Sequence, residues 1–249
     1  LLNPNPGSMM TRPSLLLITA LGTTAIQPLA AMAGESKPNT LSAGEKDAGW
    51  QLLFDGRTPT SWRSFGKATL PGNGWEVSDG WLVKKGGQKP GNLVTRQEFT
   101  DFEFSWEWRM ARGGNNGVKY FVDEKRGNLG HEYQMLANPG GKASKGATAG
   151  FYAVLAPHDL PAIKAAPEVN HSRISVRGRN VRHWLNGKLV LEYACGSEEI
   201  LANIALSKFK NVPNFGKKLT ARIMLTDHGS ECAFRNLKIR ELSAGAAKE

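Results

Sequence analysis

Gly178-Arg-Asn-Val-Arg-His-Trp-Leu-Asn-Gly-Lys-Leu-Val-Leu-Glu-Tyr193, read with Leu225-Thr-Asp-His-Gly-Ser-Glu-Cys-Ala-Phe-Arg-Asn-Leu-Lys-Ile-Arg240, decides the fold class. Asn186-Gly187 accepts positive φ at both central positions of a type I′ turn, so the first stretch is a β-hairpin. The second stretch also reads as strand, with Asp227 and His228 displayed on a loop at its entrance. Further along, Asp101 to Arg109 alternates Phe102, Phe104, Trp106 and Trp108 with Glu103, Ser105, Glu107 and Arg109, a period of two that buries one face and wets the other.

Working outward, short strands recur between turn signals. Trp50 to Phe54 precedes Asp55-Gly56, and Trp75 to Val83 folds back at Asp79-Gly80. Gly113 to Gly117 turns the chain into strands at Val118 to Val122 and His131 to Leu136, and Arg173 to Val176 leads into the hairpin. Asn138 to Ala149, Pro157 to Asn170 and Lys208 to Lys218 read as loops. Ser197-Glu198-Glu199, an N-cap followed by two acids, predicts one short helix through Leu206. Many short strands, one helix and no βαβ alternation predict an all-β sandwich. A jelly roll of the concanavalin type suits the length.

With 249 residues, 40% of them hydrophobic, the chain suits one large β domain. Leu1 to Ser8 read as upstream residues. Arg12, the apolar run Leu15 to Ala25 and Ala31-Met32-Ala33 read as a cleaved secretory signal, so 1–33 is expected to be removed and the protein exported, periplasmic or extracellular. Residues 34–48 read as a flexible linker, 49–242 as the folded domain and 243–249 as a disordered tail. No transmembrane segment is expected in the mature chain. The two cysteines, Cys195 and Cys232, allow one disulfide after export or two buried thiols. The formal charge of +10 is spread along strands and turns, without the basic runs of a nucleic-acid groove, so no nucleic acid partner is expected.

Absent motifs remove whole classes of chemistry. The sequence holds no glycine-rich phosphate loop, no Gly-x-Ser-x-Gly elbow, no His-Glu-x-x-His and no CxxC pair. Glu103 and Glu107 share a strand face but read as a solvated surface rather than the paired carboxyls of glycoside hydrolysis. Lys119, just after a Gly-rich turn, can point into a cleft where desolvation would lower its pKa, or lie on the surface. Glu132 and Gln134 point together while Tyr133 and Met135 share the opposite face. Asp227 and His228 offer metal ligands or an acid–base pair, with Glu132 a further carboxylate. His183 and Trp184, adjacent in a hairpin arm, face opposite ways.

Trp50-Gln-Leu-Leu-Phe-Asp-Gly-Arg57 with Trp62, Asn115-Asn-Gly-Val-Lys-Tyr-Phe-Val122, Glu132-Tyr-Gln134, Val181-Arg-His-Trp-Leu-Asn-Gly187, Ser207-Lys-Phe-Lys210, Pro213-Asn-Phe-Gly216, Thr226-Asp-His-Gly229 and Phe234-Arg-Asn-Leu-Lys-Ile-Arg240 occur in one order from about Gly49 to Leu242. This set resembles the 3-keto-disaccharide hydrolase domain of secreted bacterial proteins. The resemblance implies a concanavalin-like jelly roll acting on glycosides oxidised to a ketone at C3. Such a ketone acidifies the C2 hydrogen, so the glycosidic oxygen leaves C1 by β-elimination, with or without later hydration. The resemblance implies His228 for proton transfer and Lys119 or a divalent cation at the enediolate, with Glu132 beside them. Glu132, Asp227 and His228 would be metal ligands. Tyr133, Gln134, Asn116 and Trp184 would contact sugar, and Lys208 would close the site. Thr226, Asn138, Val169 and Asn115-Asn116-Gly117 depart from the family pattern, which commonly has Gln, Asp, Trp and Asn-Ser-Gly there. The competing expectations are a non-catalytic carbohydrate-binding module using Trp75, Trp81, Tyr152 or Trp184, and an exported interaction domain.

Overall fold

The computed structural model describes residues 37–243. The signal segment at 1–33 and nearly all of the tail lie outside the described residues. A short helix α1 (Ala43–Asp47) is followed by β1 (Gln51–Leu52), β2 (Trp62–Ser64), β3 (Trp75–Ser78), β4 (Trp81–Lys84), β5 (Leu93–Thr95), β6 (Phe102–Arg109) and β7 (Asn115–Val122). Next come β8 (His131–Leu136), β9 (Asn170–Arg177), β10 (Asn180–Leu185), β11 (Lys188–Ala194), helix α2 (Glu198–Ala205), β12 (Arg222–Leu225) and β13 (Cys232–Glu241). An eight-stranded sheet in the order β11-β10-β9-β6-β13-β4-β3, with β1 on β13, packs against a five-stranded sheet in the order β2-β5-β12-β7-β8. Every pairing is antiparallel. The fold is the all-β, concanavalin-like jelly-roll sandwich expected.

Period-two alternation explains the layering. Phe102, Phe104, Trp106 and Trp108 of β6 are buried between the sheets, and Glu103 and Glu107 on the other face pair with Arg240 and Arg235. Those two carboxylates are thus a salted strand face, as expected. Truncating one of the buried aromatics to Ala would cost about 3–5 kcal/mol. In the β10–β11 hairpin Asn186 (φ 48°) and Gly187 (φ 84°) both sit in the left-handed region, as a type I′ turn requires. Ser197 caps α2 by accepting from Ile200 N, and Ile200 and Ile204 pack into the core.

Two expectations are corrected. Asn115 to Gly117 belong to β7 rather than to the preceding turn, because they pair with Leu136, Met135 and Gln134 of β8. The supposed linker carries α1, with a Ser42/Glu45 capping box. Asn39 exchanges hydrogen bonds with Asn236, and Glu45 binds Lys238 at 2.7 Å. Backbone-to-side-chain bonding, not hydrophobic periodicity, orders this segment.

A polar chain runs through the interior. The His183 Nδ1–H donates to Ala149 O (2.8 Å), so Nε2 must accept from the Tyr120 hydroxyl (2.8 Å). Tyr120 in turn accepts from Tyr193 (2.7 Å), and Tyr193 accepts from His131 Nδ1 (2.7 Å). His131 Nε2 is left as a buried acceptor with no partner among the described residues. Burial pushes His131 down to about 3 and His183 to about 4, so both rings stay neutral. Cys195 and Cys232 are both buried free thiols, which resolves the alternative left open by their sequence positions.

Candidate active site

Tyr120 and His131 pair across β7 and β8, and the next pair, Lys119 and Glu132, turns to the outer face of the five-stranded sheet. The polar chain therefore lies beneath the candidate site. On that outer face Asn115, Gly117 and Lys119 of β7 stand opposite Leu136, Gln134 and Glu132 of β8. The loop after β12, which is bonded to β7 through Thr226 N to Gly117 O (3.0 Å), delivers His228 to the same place.

Three of the residues singled out from sequence converge. His228 Nε2 lies 3.2 Å from Glu132 Oε1, and Lys119 Nζ lies 4.0 Å from Glu132 Oε2. The Glu132 side chain is only 6% exposed, whereas that of His228 is 37% exposed. A carboxylate can only accept, so the ring nitrogen facing Glu132 carries the proton and Nδ1 keeps the lone pair. The imidazole is thus oriented by a buried carboxylate and offers a basic nitrogen. Gln134 Nε2 donates to Asn115 Oδ1 at 3.2 Å, which makes a neutral amide rim on the same strands.

Gly117 makes this packing possible. A Cβ there would lie 2.4 Å from Glu132 Oε1, so the carboxylate occupies the space a side chain would fill. Lys119 donates to Asn128 O (3.0 Å), and burial lowers its pKa, with Glu132 opposing the shift and Lys208 adding to it. Lys208 stands near enough to act on Lys119, its ammonium 4.2 Å from the Tyr152 ring centroid. Tyr152 is tied to the site through its backbone N–H, which donates to Glu132 O (3.0 Å). One ammonium, Lys119, stands at the carboxylate and a second, Lys208, acts on it from nearby, which gathers positive charge where an oxyanion would develop.

Other expected site residues lie elsewhere. Tyr133 is fully buried because its strand phase turns it into the core; its hydroxyl donates to Trp184 O and accepts from Ser172 Oγ. Asn116 is also fully buried, its Oδ1 accepting from Gly117 N and Thr226 Oγ1. Trp184 lies on β10 of the other sheet under the Arg173 guanidinium, 4.0 Å from its centroid, while its neighbour His183 is packed inside. None of the three therefore stands with Lys119, Glu132 and His228 on the outer face of the five-stranded sheet.

Asp227 also turns away. Its Oδ1 is 2.8 Å from Lys84 Nζ and its Oδ2 accepts from Gly91 N. Burial alone would raise its carboxyl, but Lys84 and the neighbouring backbone amides outweigh that and hold it below the ordinary range. The Glu132, Asp227 and His228 ligand set therefore does not form, and no group of three His, Cys, Asp or Glu gathers among the described residues. Lys84 was missed in sequence, since a lysine ending a short strand reads as solvent-facing.

Residues 49–240 match the model of the 3-keto-alpha-glucoside-1,2-lyase-like domain. The chain belongs to this family. The 3-keto-alpha-glucoside-1,2-lyase-like domain thus spans nearly all of the described sandwich. A protein of Bacteroides thetaiotaomicron named 3-keto-disaccharide hydrolase is 28% identical over 255 aligned positions, covering 83% of this chain and 86% of that one. A crystal structure from Parabacteroides distasonis, provisionally named a glycosyl hydrolase, superposes with a TM-score of 0.74 at 30% identity. That match covers 83% of this chain and all of the other. A second structure from that organism, at 24% identity and a TM-score of 0.61, shares the fold.

Proposed function

We propose that the chain is an exported carbohydrate-active enzyme that cleaves 3-keto-glycosides, with Glu132–His228 as its proton-transfer pair. The single observation that carries this reading is the convergence of His228, Glu132 and Lys119 on one sheet face. His228 Nδ1 takes the C2 proton, and the C2–H electron pair moves into an enediolate with the C3 oxygen. Lys119, with Lys208 nearby, stabilises that oxygen as its charge develops. The C1–O bond then breaks, the leaving oxygen takes a proton, and a 2-hydroxyglycal ketone remains. Water adding at C1 and a proton returning to C2 complete a hydrolysis; stopping earlier makes the enzyme a lyase. Glu132 holds the imidazole and balances the imidazolium, as a buried carboxylate does for a catalytic histidine.

Glu132 and His228 could contribute two donors to a divalent cation, but Asp227 is committed to Lys84 and Lys119 brings positive charge to Glu132. The three-residue ligand set does not fit this arrangement. Export rests on the signal-like stretch before Gly34. The carbohydrate-binding alternative is weakened by its aromatics: Trp81 is buried between Arg109 and Arg235, and Trp184 and Tyr152 each carry a cation over the ring.

The test is release of a chromogenic leaving group from 3-keto-glucosides of both anomers, against the unoxidised glucosides, with and without chelator. Release from the keto substrate alone, lost in His228→Ala with the fold retained, supports the reading. Loss with chelator would bring a metal into it. Saturable binding of unoxidised oligosaccharide without turnover would favour the binding module.

A further inference from the structure

Lys84 ends β4 on the inner side of the eight-stranded sheet, opposite Cys232 in register, and its side chain is wholly buried. Its ammonium reaches across to Asp227, beyond the end of β12 in the five-stranded sheet, at 2.8 Å. No other polar atom satisfies it among the described residues. A buried ammonium with one partner is an expensive way to hold two sheets together, and apolar side chains of similar volume often do as well or better. Its presence calls for an account beyond stability.

The turn itself supplies one. Asp227 N donates to Asn92 Oδ1 (2.8 Å), Gly91 N donates to Asp227 Oδ2 (3.0 Å), and Gly87 N donates to Gly229 O (3.0 Å). His228 sits between these anchored residues, and the polar contact that its own ring makes within the described structure is with Glu132. The ring's place is therefore set by the backbone on either side of it.

We propose that Lys84 is a positioning residue for His228: its ion pair with Asp227 ties the Thr226–Gly229 turn to the opposite sheet and holds the imidazole against Glu132. This rests on the assignment of His228 as the proton-transfer group. Proton transfer depends steeply on geometry, and a misplacement of about 1 Å can cost on the order of a hundredfold in rate.

Lys84→Met tests the tie directly but strands the Asp227 carboxylate. Lys84→Met/Asp227→Asn removes both charges while leaving an amide oxygen for Gly91 N, so it keeps the test usable if the single variant fails to fold. In the double variant of the full mature chain, the melting temperature stays near that of the parent. Its His228 ring signal, assigned through His228→Gln, moves or broadens in the NMR spectrum. With a 3-keto-glucoside, kcat falls at least about tenfold while KM changes less than about twofold. An unmoved His228 signal overturns the proposal, whatever happens to kcat. A moved signal with unchanged kcat supports the positioning and sinks His228 as the proton-transfer group. If the parent turns over no keto substrate, the functional reading fails and the ring signal alone decides this one.

Discussion

Gly117 and Lys119 carry the sharpest consequences at the scale of single residues. The nearest atoms that alanine at 117 meets are Oε1, Cδ and Cγ of the Glu132 side chain and none of the backbone, so Gly117→Ala should displace that side chain and fold with little change in melting temperature. Glu132 must then leave its place between His228 and Lys119, and kcat should fall by about tenfold or more, since an oriented base loses its orienter. Steady-state kinetics beside thermal melting checks this; unchanged kcat would mean that the carboxylate's position is immaterial. Lys119→Met removes the ammonium nearest Glu132. If that charge serves the enediolate, kcat should drop by about 10²–10³-fold, the range for losing one preorganised oxyanion donor. A loss confined to KM would recast Lys119 as a ground-state binder.

Elements show how far the sequence could be read and where it stopped. Strand alternation put Glu132 and Gln134 on one face, whereas the level at which Lys119 meets them is set by the β7–β8 register. The same alternation sends Tyr133 into the core, yet the resemblance drew it to sugar. For Asn116, reading the first residues of β7 as a turn hid the strand phase that buries it. The Lys84–Asp227 tie was illegible because it joins strands of different sheets, and no local spacing encodes that. The N-terminal segment is the opposite case: low hydrophobicity suggested a linker, while Ser42, Glu45 and Asn39 held its order in polar bonds. A chain beginning at Gly49 should therefore melt below one beginning at Glu35. Ser42→Ala alone should cost about 1 kcal/mol, as lost N-caps do. Equal melting of the two chains would show that α1 contributes nothing to stability.

The whole molecule buries chemistry that it keeps neutral. Cys195 is pushed up to about 12 by burial and Cys232 is raised by the same cause, so neither forms thiolate readily. Both should react with a thiol reagent only after unfolding, and reductant should leave melting unchanged. The interior His–Tyr chain makes a stronger demand, because its hydrogen-bond directions need His183 unprotonated, and burial disfavours the charged form of His131. Unfolded histidine titrates near 6.5, whereas His183 and His131 in the fold titrate at about 4 and about 3. Between these limits the unfolded chain binds more protons than the folded one, so stability rises with pH through the window. The contribution is complete above about pH 6.5 and declines as pH falls toward 4 and 3, by about 1.4 kcal/mol per pH unit for each proton. Denaturant unfolding from pH 7 to 4 should show this slope, and calorimetric unfolding at pH 5 should take up about two protons on account of the pair. His183→Gln keeps a donor for Ala149 O and an acceptor for Tyr120 but cannot titrate, so it should remove about one of those protons. An unchanged uptake would mean that the native ring already carries its proton at pH 5, and the directions assigned to the chain would have to be reversed.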